Sequence, residues 1–130
     1  MRDVAGLFVQ KGGREEVART LLVFKKGHWF FPGGKREEGE GLHETLAREV
    51  YEEIGLIVGC LLPLIHTGDF AAIGGTEYRF HTFTCHPEHL YGVPTLRPGD
   101  TVKDWAWVDM PLELNLTKHA RFIIEKFGRD

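Results

Sequence analysis

Leu42 to Ile54 contains no Gly or Pro, and most of its residues are good helix formers. At ~100° per residue, Leu46, Val50 and Ile54 fall on one side of a helix, with Ala47 at the margin. Such a stripe must be buried against another element. Glu49, Glu52 and Glu53 share the adjoining arc, because positions i, i+3 and i+4 are neighbours on a helix surface. In an isolated helix each like-charged pair costs roughly a few tenths of a kcal/mol. A bound divalent cation reverses the sign of that interaction. Hard oxygen donors at this density suit Mg²⁺, Mn²⁺ or Ca²⁺ rather than zinc. A solvated acidic face is the competing reading. It accounts for the carboxylates, but not for their neighbours.

Those neighbours are tightly spaced. The stretch GKREEGEGLHETLAREVYEEIGL, residues 34–56, places five residues between Gly34 and Glu40 and seven between Glu40 and Arg48-Glu49. Val50, Glu52-Glu53, Gly55 and Leu56 follow. This pattern resembles the signature of the Nudix hydrolases, G-x5-E-x7-R-E-U-x-E-E-x-G-U, where U is a bulky aliphatic residue, and every fixed position is filled. At typical residue frequencies, chance would produce it in a chain of this length with odds of roughly one in ten million. The lead-in Trp29-Phe30-Phe31-Pro32-Gly33-Gly34-Lys35 is also similar to the family.

The resemblance implies an α/β (α+β) fold, a mixed β-sheet sandwiched between helices, with residues 1–130 expected to form a single domain. It implies hydrolysis of a nucleoside diphosphate linked to another group, with Mg²⁺ (or Mn²⁺) as cofactor. Carried over by motif position, Glu49, Glu52 and Glu53 resemble the metal ligands, and the carbonyl of Gly33 or Gly34 could add another oxygen. Glu49 or Glu53 could serve as the general base, with Arg48 orienting Glu49. Glu40 resembles a carboxylate that supports the ligands. Each has a plainer reading. Arg48 could pair only with Glu44. Glu40 could be an anion stabilised by the helix dipole. Gly33 and Gly34 could be turn residues alone. Some family members add a carboxylate from a downstream loop. Asp100, Asp104 and Glu88 are candidates, with Asp100 preferred for its place shortly before the Trp107-Val108 strand.

Along the chain, Asp3–Gln10 and Thr20–Lys25 read as strands, with 11–19 as a polar connection. Trp29–Phe31 reads as a strand end, and Pro32-Gly33-Gly34 as a turn. Leu56–Phe70 has strand-like stretches, and Thr76–Cys85 and Trp105–Asp109 read as strands. The segment between them, His86–Asp100, carries three prolines and two glycines and reads as a loop. Thr117–Phe127 reads as a closing helix, capped by Thr117, with Ala120, Ile123, Ile124 and Phe127 as its apolar stripe and Gly128 at its end. Alternating strands and helices indicate a layered domain.

Hydrophobic content of 42% and charged content of 27% suit a globular chain, and the net charge of -3 argues against nucleic-acid polymers or membranes as partners. No apolar run reaches the ~18 residues of a membrane span, and no secretory signal is evident. The expected location is cytoplasmic and the expected partner a small nucleotide, with a homodimer allowed. Cys60 and Cys85 are expected to be buried thiols. Cys85-His86-Pro87-Glu88-His89 lacks a second pair at zinc-ligand spacing. Trp29, Phe31 and Tyr78, with Phe70 and Phe80, are candidates for stacking on a base, with core packing as the alternative.

Family members acting on ADP-ribose tend to carry a proline about fifteen residues past the box, where this chain has Ala71-Ala72-Ile73. Those acting on dinucleotide polyphosphates tend to place a tyrosine slightly later, and Tyr78 comes too late. By elimination the expected substrate is a nucleoside triphosphate, plain or modified, with those two classes as alternatives. A non-catalytic nucleotide sensor on the same fold would typically lose box carboxylates, and all are retained here. An isomerase would need further acid/base residues.

Overall fold

In a computed structural model, which describes residues 1–59, 62–97 and 101–129, the elements run β1 (Asp3–Phe8), β2 (Gln10–Lys11), β3 (Arg19–Lys25), β4 (His28–Phe30), β5 (Gly33–Lys35), α1 (Leu42–Ile54), β6 (Ile57–Val58), β7 (Leu64–Ala71), β8 (Glu77–Thr84), β9 (Leu90–Tyr91), β10 (Asp104–Val108) and α2 (Lys118–Phe127). β1 organises them. It runs parallel to β8 and antiparallel to β5, and β8 pairs antiparallel with β7, giving a mixed sheet of order β5-β1-β8-β7. Parallel neighbours need a long crossover. Here that crossover includes β3, β4 and α1. β3 heads a second sheet, flanked by β10 and β2 and also paired with β4, and β6 pairs with β9.

Period-2 alternation sends the central strands toward both helices. Ala5, Leu7, Val9, Leu21 and Val23 are fully buried against Leu46, Val50 and Ile54 of α1. Phe8 and Leu22 point the other way, onto Ala120, Ile123 and Ile124 of α2. Strands buried on both faces read as continuous apolar runs, as Leu21-Leu22-Val23 does. Sheets lie between helices, as the resemblance implies.

Both helices have the expected bounds. Gly55 ends α1 in the left-handed region at φ 72°, which a Cβ would disfavour. The Thr117 hydroxyl accepts the Ala120 N–H at 3.2 Å. Four local expectations are corrected. Asp3–Gln10 is not one strand, because its end crosses into the second sheet as β2. Gly33-Gly34 is not a turn. The bend falls at Pro32, and the glycines form β5, where the missing Cβ of Gly33 lets its backbone press against the Ala5 carbonyl of β1. The loop after β8 contains a 3₁₀ turn at Pro87–His89 and the short strand β9. The strand expected at Trp105–Asp109 begins one residue earlier, at Asp104.

Candidate active site

Arg48 is the hub of the polar site. Its Nε donates to Glu40 Oε2 at 2.6 Å and its Nη2 to Glu40 Oε1 at 2.9 Å, the two-pronged grip that a planar guanidinium favours. Its Nη1 donates to Glu49 Oε1 at 2.8 Å and to Glu52 Oε2 at 3.3 Å, and its Nη2 to the Lys35 carbonyl at 3.2 Å. Glu40 also accepts from the Glu37 N–H at 2.9 Å and the Thr45 hydroxyl at 3.0 Å. The Arg48 hydrogen bonds foremost, then the Glu37 N–H, hold the Glu40 carboxyl down at about 2. The Arg48 proton is in turn held more tightly, chiefly by Glu40. Glu44, the plainer partner considered for Arg48, accepts the Gly41 N–H at the start of α1 instead.

The three helix carboxylates share an arc, but each has a different environment. Glu49 is half-buried beneath Gly34, whose missing Cβ leaves room that the Glu49 carboxylate fills. Burial raises its proton affinity, against the lowering effect of Arg48. The Glu52 side chain is 54% exposed. Glu53 is only 3% exposed. Its Oε1 accepts the Gly33 N–H at 2.8 Å and its Oε2 meets Lys25 Nζ at 2.6 Å. Burial raises the Glu53 pKa and Lys25 opposes the rise. The arc is thus not the bare repulsive cluster that spacing alone suggests, since Arg48 and Lys25 already compensate it.

Among the described residues no three His, Cys, Asp or Glu side chains converge as a preformed metal cluster. The donors nevertheless suit a hard divalent ion. Arg48 engages Oε1 of Glu49 and Oε2 of Glu52, one oxygen of each, and Gly34 brings backbone against the Glu49 carboxylate. Each Glu53 oxygen already accepts one hydrogen bond, Oε2 from Lys25 and Oε1 from the Gly33 amide, and keeps a further lone pair for a cation.

Glu49 and Gly34 stand at the wall of a cleft of about 590 Å³. Lys25, Lys26 and Lys35 also line it, as do Phe31, Tyr78, Phe80 and His119. Lys35 Nζ lies 4.9 Å from the Tyr78 ring centroid. Of the stacking candidates, Phe31, Tyr78 and Phe80 line the cleft, Phe31 as a core residue only 5% exposed and packed with Phe8 and Leu22, and Phe70 does not line it. Trp29 does not line it. Paired opposite Phe24, it lays its ring on that side chain with centroids 5.1 Å apart. Asp100 lies outside the described residues, as does Cys60. Asp104 binds its neighbour's N–H at the start of β10, and Glu88 is exposed in the 3₁₀ turn; neither lines the cleft.

Lys25 and His119 were not singled out from the sequence. Lys25 had a signal: it continues the Leu21, Val23 alternation toward α1. His119 lies on the buried face of α2 beside Ala120 and Ile123, where a lone histidine reads as core.

A family model for the NUDIX domain matches residues 2–127. The oxidized purine nucleoside triphosphate hydrolase of Mus musculus is 37% identical over 83 residues, 59% of this chain and 51% of that protein. The 8-oxo-dGTP diphosphatase of Proteus vulgaris is 42% identical over 55 residues, 42% of this chain and 49% of that protein. The chain spans about half the length of the curated relatives it matches. The MutT NUDIX hydrolase from Burkholderia pseudomallei superposes with a TM-score of 0.81, covering 97% of each chain at 24% identity, a likeness of fold.

Proposed function

The chain belongs to the Nudix family, and from that membership we propose that it is a metal-dependent pyrophosphohydrolase, cleaving a nucleoside triphosphate, plain or oxidised, to a monophosphate and pyrophosphate. One observation carries the reading. The Glu49 carboxylate, seated under Gly34 and gripped by Arg48, opens onto a cleft with three lysines and an aromatic wall. That combination suits a phosphate chain joined to a planar base. The names of the mouse and Proteus relatives favour a triphosphate over ADP-ribose or a dinucleotide polyphosphate.

Glu49 and Glu52 would hold the cation, with Glu53 and the Gly33 carbonyl as further donors and Mg²⁺ or Mn²⁺ as the ion. When bound, it neutralises phosphate oxygens and lowers the pKa of water. The protein's part follows from its own geometry. Arg48 fixes Glu49 Oε1 at the cleft wall, and burial raises the proton affinity of this carboxyl, so the carboxylate is positioned to take the proton of the attacking water. The water oxygen bonds to phosphorus, the anhydride P–O bond breaks, and pyrophosphate leaves. Glu53 is the weaker base candidate, because it is 3% exposed, paired with Lys25 and not part of the cleft wall. Lys26 and Lys35 attract the polyphosphate, while the charge of Lys25 is taken up by Glu53. The same proposal takes residues 1–130 as one domain, located in the cytoplasm and able to form a homodimer. Among the described residues no helix is long and apolar enough to cross a membrane.

The test is kcat/KM across nucleoside triphosphates, ADP-ribose and diadenosine polyphosphates with Mg²⁺. Triphosphates should lead. A tenfold advantage for either alternative class overturns the substrate, and nucleotide binding without any turnover would point to a sensor.

A further inference from the structure

We propose that Lys25 competes with the divalent cation for Glu53, so that this one lysine sets how tightly the site holds its metal. The inference rests on the reading of the helix carboxylates as cation donors, and deepens it.

The sheet delivers Lys25 to its place. Lys25 ends β3 where that strand pairs with β4. Its Nζ lies 4.7 Å from the Phe30 ring centroid and 2.6 Å from Glu53 Oε2. The Lys25 side chain is 15% exposed. The other Glu53 oxygen accepts the Gly33 N–H at 2.8 Å. Lys25 lines the cleft and Glu53 does not. An ion entering through the cleft therefore meets the ammonium before it meets this carboxylate.

Each Glu53 oxygen keeps a lone pair, so valence leaves room for a metal. Charge does not. An ammonium and a divalent ion on one buried carboxylate would stand a few ångströms apart with little water between them, where like charges repel strongly. Glu53 has a single negative charge to offer, and Lys25 already neutralises it. The two cations therefore exclude one another. Glu49 and Glu52 differ in this respect. Their partner Arg48 also grips Glu40, so one guanidinium faces three carboxylates. The surplus negative charge there is open to a divalent ion without displacing anything. A metal that also takes Glu53 must break the Lys25 pair, and it leaves the ammonium unpaired at the cleft wall.

Two measurements test the inference, both without nucleotide. The first is calorimetric Kd for Mn²⁺. Lys25→Met should tighten it about tenfold or more, because a like charge beside the carboxylate is removed. Lys25→Arg keeps the charge and should bind more weakly than Lys25→Met by about the same factor. Adding Glu53→Gln to Lys25→Met should cancel the gain. A Lys25→Met Kd no tighter than wild type overturns the proposal. So does Lys25→Arg as tight as Lys25→Met, since packing rather than charge would then be the cause. A double variant as tight as the single one overturns it too, since Glu53 would not be the carboxylate at stake. The second measurement needs no variant. Amine acetylation of wild type, read by mass spectrometry, follows the fraction of Lys25 that is unpaired. Saturating Mg²⁺ should raise it about tenfold relative to Lys26, which also lines the cleft. An unchanged ratio overturns the proposal. If no form of the protein binds Mn²⁺, the cation falls from the proposed function together with this inference. If Mn²⁺ binds and Lys25 is indifferent to it, that reading stands and the competition alone fails.

Discussion

Lys25 and Glu53 stand 28 positions apart in the chain and meet as a buried ion pair, Nζ 2.6 Å from Oε2. Breaking such a pair from one side leaves an uncompensated charge in the interior, at a cost of roughly 3–5 kcal/mol. Lys25→Met should therefore lower unfolding stability by about 3 kcal/mol at pH 8. Adding Glu53→Gln to it should recover most of the loss. Urea melts of the two variants beside wild type decide the matter. Equal destabilisation in single and double variants would mean that the pair is not the source.

Gly34→Ala places a methyl group where the Glu49 carboxylate sits. The strand has room to keep its fold, but the carboxylate must move. Misplacing a catalytic group by about 1 Å costs on the order of 10²-fold in rate. We expect kcat to fall by about that factor with the circular dichroism spectrum unchanged. Near-normal kcat would show that the position of Glu49 under Gly34 is irrelevant to turnover.

Chelation with EDTA should abolish hydrolysis, and Mg²⁺ or Mn²⁺ should restore it. Glu52→Gln should lower kcat by about 10²-fold, from the loss of several kcal/mol of charge stabilisation. Because the Glu52 side chain is 54% exposed, its thermal midpoint should stay within a few degrees of wild type. Turnover in excess EDTA sinks the metal mechanism, and normal turnover of Glu52→Gln removes that residue from the ligand set.

Burial of His119 sets a pH dependence of stability. Its folded pKa is depressed from 6.5 to about 3, so the unfolded chain binds the extra proton within that window. Stability is full above 6.5 and is lost as pH falls toward 3, with a slope of up to about 1.4 kcal/mol per pH unit. Glu40, held at about 2, adds a loss of the same sign at lower pH. His119→Gln should remove the upper part of the slope. The difference between the wild-type and variant profiles from pH 7 to 4 is the measurement. A flat difference would mean that His119 titrates alike in both states.

Much of this protein is legible locally. The span of α1 follows from the period of Leu46, Val50 and Ile54 and from the Gly55 stop, and that of α2 from the Thr117 cap and its apolar stripe. The contact of Arg48 with Glu52 joins helix neighbours at i and i+4, so spacing brings them together before any tertiary contact forms. Even the reach of Arg48 back to Glu40 spans only 8 positions.

What spacing could not supply is whatever depends on partners from another layer. Gly33-Gly34 reads as a turn by composition. It becomes a strand because β1 arrives beside it and only a residue without a Cβ tolerates that approach. Trp29 and Phe31 belong to one aromatic run, yet Phe24 captures the first and the cleft receives the second. Glu52 and Glu53 are adjacent glutamates on one helix. One stays in water and the other is buried, because Lys25 and the Gly33 amide come from strands packed against that side alone. The sequence by itself determined the family, the helices and the chemistry available on them, since these rest on interactions within a few residues. The tertiary structure decided which carboxylate is free, which is paired and which ring faces the cleft. Burial and charge compensation belong to the space between elements, and no single element encodes them.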